Sequence, residues 1–177
     1  GYDSHHIIKS IKPRSDVSAI PLTSEKYLSF SFDEYLFLDS ASFLNASLET
    51  LVDNLRKSDV NAFTFSRAHF ADRANRMMEK GVYPYDYVTD ESVFKKPLPP
   101  REKFYNRLND EEISEKDYKH AQDVYELFKC KNFGAYHDLY LLSDVVLLAD
   151  VFENFRNVCL KFYELDPVHY FSLPGLA

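Results

Sequence analysis

The chain has 177 residues, with 21 Lys and Arg against 28 Asp and Glu for a formal charge of −7, and its 45% hydrophobic content includes 13 Tyr and 15 Phe. So much apolar and aromatic side chain can bury a core and excludes a disordered tail, while four Gly and eight Pro exclude collagen-like and linker readings. No charge-free run approaches the roughly 18–20 apolar residues of a spanning helix, and no basic then apolar leader opens the chain, so no membrane partner is expected. The acidic balance argues against non-specific capture of nucleic acid by charge alone, yet it permits a local metal-bearing site that handles phosphates. Cys130 and Cys159 have no second Cys or His at metal spacing and read as core thiols of a reducing compartment.

In chain order, Gly1-Tyr2-Asp3 runs straight into Ile7, Ile8 and Ile11, with no initiating Met, and reads as a piece cut from something longer. Asp3 or Ser4 is the candidate N-cap of a short helix that Pro13 ends. Val17 to Phe43 carries short β-rich runs, Val17–Ile20, Tyr27–Phe32 and Tyr35–Leu38, and reads as a β-meander. Ser47 caps a helix with Leu48, Leu51, Val52 and Leu55 on one face and Arg56-Lys57 at its negative end. A less regular basic stretch with Arg67, Arg73, Arg76 and Lys80 leads to the aromatic loop Gly81-Val-Tyr-Pro-Tyr-Asp-Tyr87. Pro97-Leu-Pro-Pro100 reads as an extended internal boundary. Ser114-Glu-Lys-Asp117 has capping-box spacing before a helix of about four turns, with Gly134 as its expected C′ residue. Tyr136 to Phe162 holds the longest helical pattern, after which Pro167 and Pro174 give an extended exit.

Within that last helix the segment from Leu139 to Phe152 is apolar nearly all round, so it is expected to be buried. Asp144 sits in its middle, with Tyr140 one turn before it on the same side. An ionised carboxylate there costs several kcal/mol unless something compensates it. Three partners stay open: a basic side chain from elsewhere, a helix end, or a divalent metal. An ion pair or cap is the commoner outcome.

Tyr140-Leu-Leu-Ser-Asp144, followed by Val145-Val-Leu-Leu-Ala-Asp-Val-Phe152, resembles the third exonuclease motif, Tyr-x-x-x-Asp, of family B DNA polymerases of the protein-primed type, found in bacteriophages, linear plasmids and self-synthesising transposons. Gly1-Tyr2-Asp3 resembles the end of their second exonuclease motif. Residues 81–177, through Leu98-Pro-Pro, Phe104-Tyr105, Ile113-Ser114, Tyr163-Glu-Leu-Asp-Pro167 and Leu173-Pro-Gly-Leu-Ala177, are similar to the transposon and virus-like members. The resemblance implies a helix-rich α/β chain, an incomplete ribonuclease H-like 3′–5′ exonuclease fold with a β-meander and long C-terminal helices. Residues 1–165 would be the partial exonuclease domain and 166–177 the start of the polymerase domain. Such chemistry uses carboxylates holding two divalent metals about 3.5–4 Å apart. By position Asp3 and Asp144 would be ligands of Mg²⁺ or Mn²⁺, and Tyr140 would orient the attacking water. The implied partners are the single-stranded 3′ end of a DNA primer, the remainder of the polymerase chain and a terminal priming protein, in an intracellular, nuclear or virus- or transposon-associated setting.

The departures from the family pattern are equally specific. The Asp-x-Glu first motif is absent, as is the Asn expected before Tyr2, and the Lys motif expected between the second and third motifs is not evident at Leu48-Glu-Thr-Leu51. The chain alone is therefore expected to show little exonuclease activity and no synthesis. A degenerate copy that binds DNA or protein without chemistry is the alternative. Arg73, Arg76 and Lys80 share a helical face that could track phosphates, and Tyr83 could stack on unpaired bases, although a solvated face and core packing are the plainer readings. His5-His6 diverge too far on a helix to chelate one ion. Asp138, Asp150 and Glu153 read as solvent-side charges or salt-bridge partners, with Asp150 close enough to the buried segment to support the site.

Overall fold

The computed structural model describes residues 3–10, 17–23 and 26–176, without the side chains of Asp3 and His5. The elements in order are helix α1 (Asp3–Ser10), strands β1 (Ser18–Pro21), β2 (Tyr27–Phe32) and β3 (Tyr35–Leu38), then helices α2 (Leu48–Ser58), α3 (Thr64–Phe70), α4 (Ala74–Met77), α5 (Glu115–Leu127), α6 (Phe133–Tyr163) and α7 (Leu173–Leu176). The class is mixed α/β, helix-rich with one small antiparallel sheet. Among the described residues no helix is long and apolar enough to cross a membrane. Two compact units divide the chain, residues 47–151 and residues 1–46 with 152–177. The Pro97–Pro100 stretch is extended as expected and lies inside the first of these.

In the unit of residues 1–46 and 152–177, the meander expected from the β-rich runs is present in the order β1-β2-β3, with Phe30 opposite Phe37. That register stacks the two rings at 4.4 Å, a cross-strand aromatic pair that favours this pairing over a slipped one. Asp33, at the β2–β3 turn, takes the left-handed backbone (φ 48°) that a two-residue hairpin turn requires and Asp tolerates. Phe43 is buried and meets Phe152 and Phe155 edge-on or tilted. Arg156 grips Asp166 through two bonds of 3.0 and 2.6 Å, and Glu153 takes a third at 2.8 Å. That guanidinium holds the Asp166 carboxyl down at about 2. Helix α1 spans Asp3–Ser10; Pro13 and the Asp3 side chain lie outside the described residues.

The unit of residues 47–151 carries the two helix caps that the sequence marks. Ser47 Oγ accepts from Thr50 N at 3.2 Å, and Ser114 Oγ accepts from Asp117 N at 3.0 Å. Asp117 takes the Ser114 hydroxyl hydrogen (2.7 Å), where the longer Glu of a capping box reaches the backbone N–H. Its core gathers Val52, Leu55, Phe63, Met78, Phe133 and Leu147.

Three expectations for the helices need correction, the first being the extended exit, because Pro167 opens a 3-10 turn over Pro167–His169 and Pro174 lies inside α7. Helix α5 stops at Leu127, and the left-handed residue after it is Lys129 (φ 53°), not Gly134. Gly134 is instead in the first turn of α6, which Asn132 caps by accepting from Ala135 N at 3.0 Å. A Cβ at Gly134 would stand 3.1 Å from Phe94 O, so the residue is small for close packing. Nor is α6 buried all round: Leu141 is 50% and Val145 65% exposed, with Leu142 and Leu148 also open. Composition reports a helix's apolarity, but burial depends on what lies opposite, and nothing described covers this side.

Candidate functional site

Asp144 and Tyr140 project from α6 at i and i+4, and both meet Lys80 on the irregular segment after α4. Lys80 Nζ donates to Asp144 Oδ2 at 2.6 Å and Oδ1 at 2.8 Å, and also to Tyr140 Oη. All three ammonium hydrogens thus have acceptors, and both carboxylate oxygens share one cation. Nζ also stands 4.3 Å from the centre of the Tyr140 ring. The pair is mostly out of water, at 21% and 27% side-chain exposure, and this pairing answers how α6 tolerates a carboxylate.

Four residues of the segment 80–85 hold to α6. Besides Lys80, Val82 O accepts from Tyr136 Oη at 2.6 Å, Tyr83 Oη lies 2.6 Å from His137 Nδ1, and Tyr85 Oη lies 2.7 Å from Tyr140 Oη. The approach depends on Gly81, where a Cβ would sit 3.2 Å from Tyr140 Cδ2. Burial, the bond to Tyr85 and the nearby Asp144 charge push the Tyr140 phenol far up, so it stays a neutral hydroxyl throughout the physiological range. Burial, then Tyr85, raises Tyr83 to about 12.

The site opens into a cleft of about 450 Å³ whose walls include Tyr83, Tyr85, Phe104, Tyr105 and Tyr140, with Glu49, Glu111 and Glu112 also lining it. Tyr85, 68% exposed, is its open aromatic surface. Tyr83 is instead stacked against Tyr140 (4.7 Å) and Phe133 (5.6 Å).

Of the residues nominated from sequence, the structure brings together Tyr140, Asp144, Lys80 and Tyr83. The side chain of Asp3 lies outside the described residues. Arg76 is paired with Asp123, which Lys119 also reaches at 2.9 Å, and Arg73 packs over the Phe128 ring at 5.1 Å. Asp138 is exposed, and Glu153 is the partner of Arg156. Asp150, read as a solvent-side charge, is completely buried. Its two oxygens accept from Phe65 N (2.7 Å), Ser66 N (3.0 Å) and Ser66 Oγ (2.6 Å), which caps α3 from another helix, since Phe63 at the capping position has no side-chain oxygen to offer.

Sequence reasoning missed Lys80 as the partner of Asp144 and Tyr85 as the partner of Tyr140, and it missed His137. The available signal was only that Lys80 ends the basic stretch directly before Gly81. Among the described residues no group of three or more His, Cys, Asp and Glu could hold a metal ion. One carboxylate already shared with an ammonium, beside a protonated phenol, does not compose a two-metal centre. No family model, curated protein or solved structure matches the chain.

Proposed function

We propose that the chain is part of the 3′–5′ exonuclease region of a protein-primed family B DNA polymerase, a ribonuclease H-like domain that trims a single-stranded primer end. The observation that carries this reading is the Lys80–Tyr140–Asp144 constellation. The Tyr and Asp of the Tyr-x-x-x-Asp resemblance are joined in space by a lysine, Lys80. In this reading Asp144 and Asp3 are the carboxylates offered to Mg²⁺ or Mn²⁺, although the described residues alone fall short of the full set. Tyr140, a neutral phenol, orients water at the scissile phosphate, and Lys80 brings positive charge to a cleft whose lining includes several carboxylates and aromatic rings. Tyr85 offers the exposed face for a base.

The test is calorimetric titration of Mn²⁺ with a short single-stranded oligonucleotide, on the wild type and on Asp144→Ala and Lys80→Ala. Metal-dependent binding that is lost in Asp144→Ala while the circular dichroism is unchanged supports the reading. Identical responses in wild type and Asp144→Ala overturn it. A second reading, a non-catalytic scaffold derived from such a polymerase, is favoured by the completeness with which Lys80 satisfies Asp144. It expects both variants to lose stability and neither to change any metal response.

A further inference from the structure

We propose that His137 is a positioning residue for Tyr140, acting through Tyr83. The inference rests on the exonuclease reading for its use, and on the following geometry for its existence. The Tyr140 hydroxyl is useful only where it meets Lys80 and Tyr85, and α6 fixes its backbone but not its ring. Besides Lys80 and the edge of Tyr85, two neighbours bear on the ring: Gly81, whose lack of a side chain admits it, and Tyr83, whose ring stacks on it at 4.7 Å and 28°.

Tyr83 itself belongs to a stretch with no helix or strand, so no backbone ladder holds it. Its ring is set by packing on Phe133 and by one directional contact, the 2.6 Å bond between Oη and His137 Nδ1. His137 lies one turn before Tyr140 on α6, and its ring packs against Phe94 at 4.8 Å. A phenol raised to about 12 keeps its hydrogen at neutral pH and is able to donate it to Nδ1. The helix that carries Tyr140 thus also carries the anchor for the ring packed against it. This arrangement orders the Lys80–Tyr140–Asp144 group before any ligand enters, which is how preorganised sites save reorganisation during reaction.

The experiment follows the Lys80 ammonium by nitrogen-15 NMR on the whole chain, measuring how fast its hydrogens exchange with water. The signal is assigned by its loss in Lys80→Arg. His137→Phe keeps a ring beside Phe94 and removes Nδ1, and Tyr83→Phe removes the hydroxyl from the other end of the same bond. Each is expected to speed exchange about fivefold, the equivalent of one ordinary hydrogen bond. The double variant is expected to be no faster than either single one, and His137→Gln, whose amide can still meet the phenol, to recover most of the protection. Wild-type exchange in Tyr83→Phe, or effects that multiply in the double variant, would overturn the proposal. Tyr83→Phe decides the matter if His137→Phe fails to fold. Oligonucleotide binding plays no part in this readout, so a chain that binds no DNA refutes the exonuclease reading and leaves the positioning role to be judged by the exchange rates alone.

Discussion

Asp144 and Asp150 stand six residues apart on one helix, and the protein treats them in opposite ways. Asp150 is wholly enclosed and meets fixed donors, two backbone N–H groups and a hydroxyl at the start of α3. Asp144 is partly exposed and meets the end of a flexible four-carbon side chain, Lys80, which lines the cleft. Backbone donors cannot leave without unwinding α3, whereas an ammonium can swing aside with a few rotamer changes. The first carboxylate is locked into the architecture, and the second is held by a contact that side-chain rotation alone can break.

Four perturbations break or sharpen that contrast. The largest effect is expected from Asp150→Ala, which strands three donors and uncaps α3, for a loss of about 2–4 kcal/mol in urea unfolding. Asp150→Asn, with one acceptor oxygen left, should fall between. Next comes Lys80→Met, which leaves Asp144 without its cation and should cost about 1–3 kcal/mol. Adding Asp144→Leu to it should recover most of the loss, a rescue that no second substitution on α6 should give Asp150→Ala. Gly81→Ala should cost about 1 kcal/mol, because a Cβ 3.2 Å from the Tyr140 ring displaces the ring by a few tenths of an ångström. Its clearest readout is the near-ultraviolet circular dichroism of the tyrosines.

The smallest effect concerns a third carboxylate, half-buried beside Arg156. Asp166 titrates at about 2 in the folded chain against an ordinary 3.8, chiefly because Arg156 donates to it. A depressed folded value means that this contribution is complete above about pH 4 and is lost as the pH falls toward 2. Thermal unfolding between pH 5 and pH 2.5 should therefore drop more steeply in the wild type than in Arg156→Gln.

Local physics made much of the fold legible. Ser47 and Ser114 announced two helices, the aromatic runs announced the meander, and the helical spacing of Tyr140 and Asp144 put both on one face. Lys80 stayed hidden because its partner is 64 residues away and no periodic pattern links the two. Asp150 looked solvent-facing because its burial comes from α3, whose own sequence lacks a cap. Leu141 and Val145 looked buried because hydrophobicity names a preference and not a neighbour.

The hydroxyl of Tyr140 receives both ends of the segment from Lys80 to Tyr85. One oxygen atom therefore closes a six-residue ring, as a clasp closes a strap, while Tyr136 and His137 fasten the same strap between its ends at Val82 and Tyr83. Tyr140→Phe would therefore release the Tyr85 end and leave the Lys80 end held by Asp144 alone, with the helix beneath intact. The two ends of one cleft wall are thus held by different means, the Tyr85 end by a single pair of phenols and the Lys80 end by a carboxylate as well.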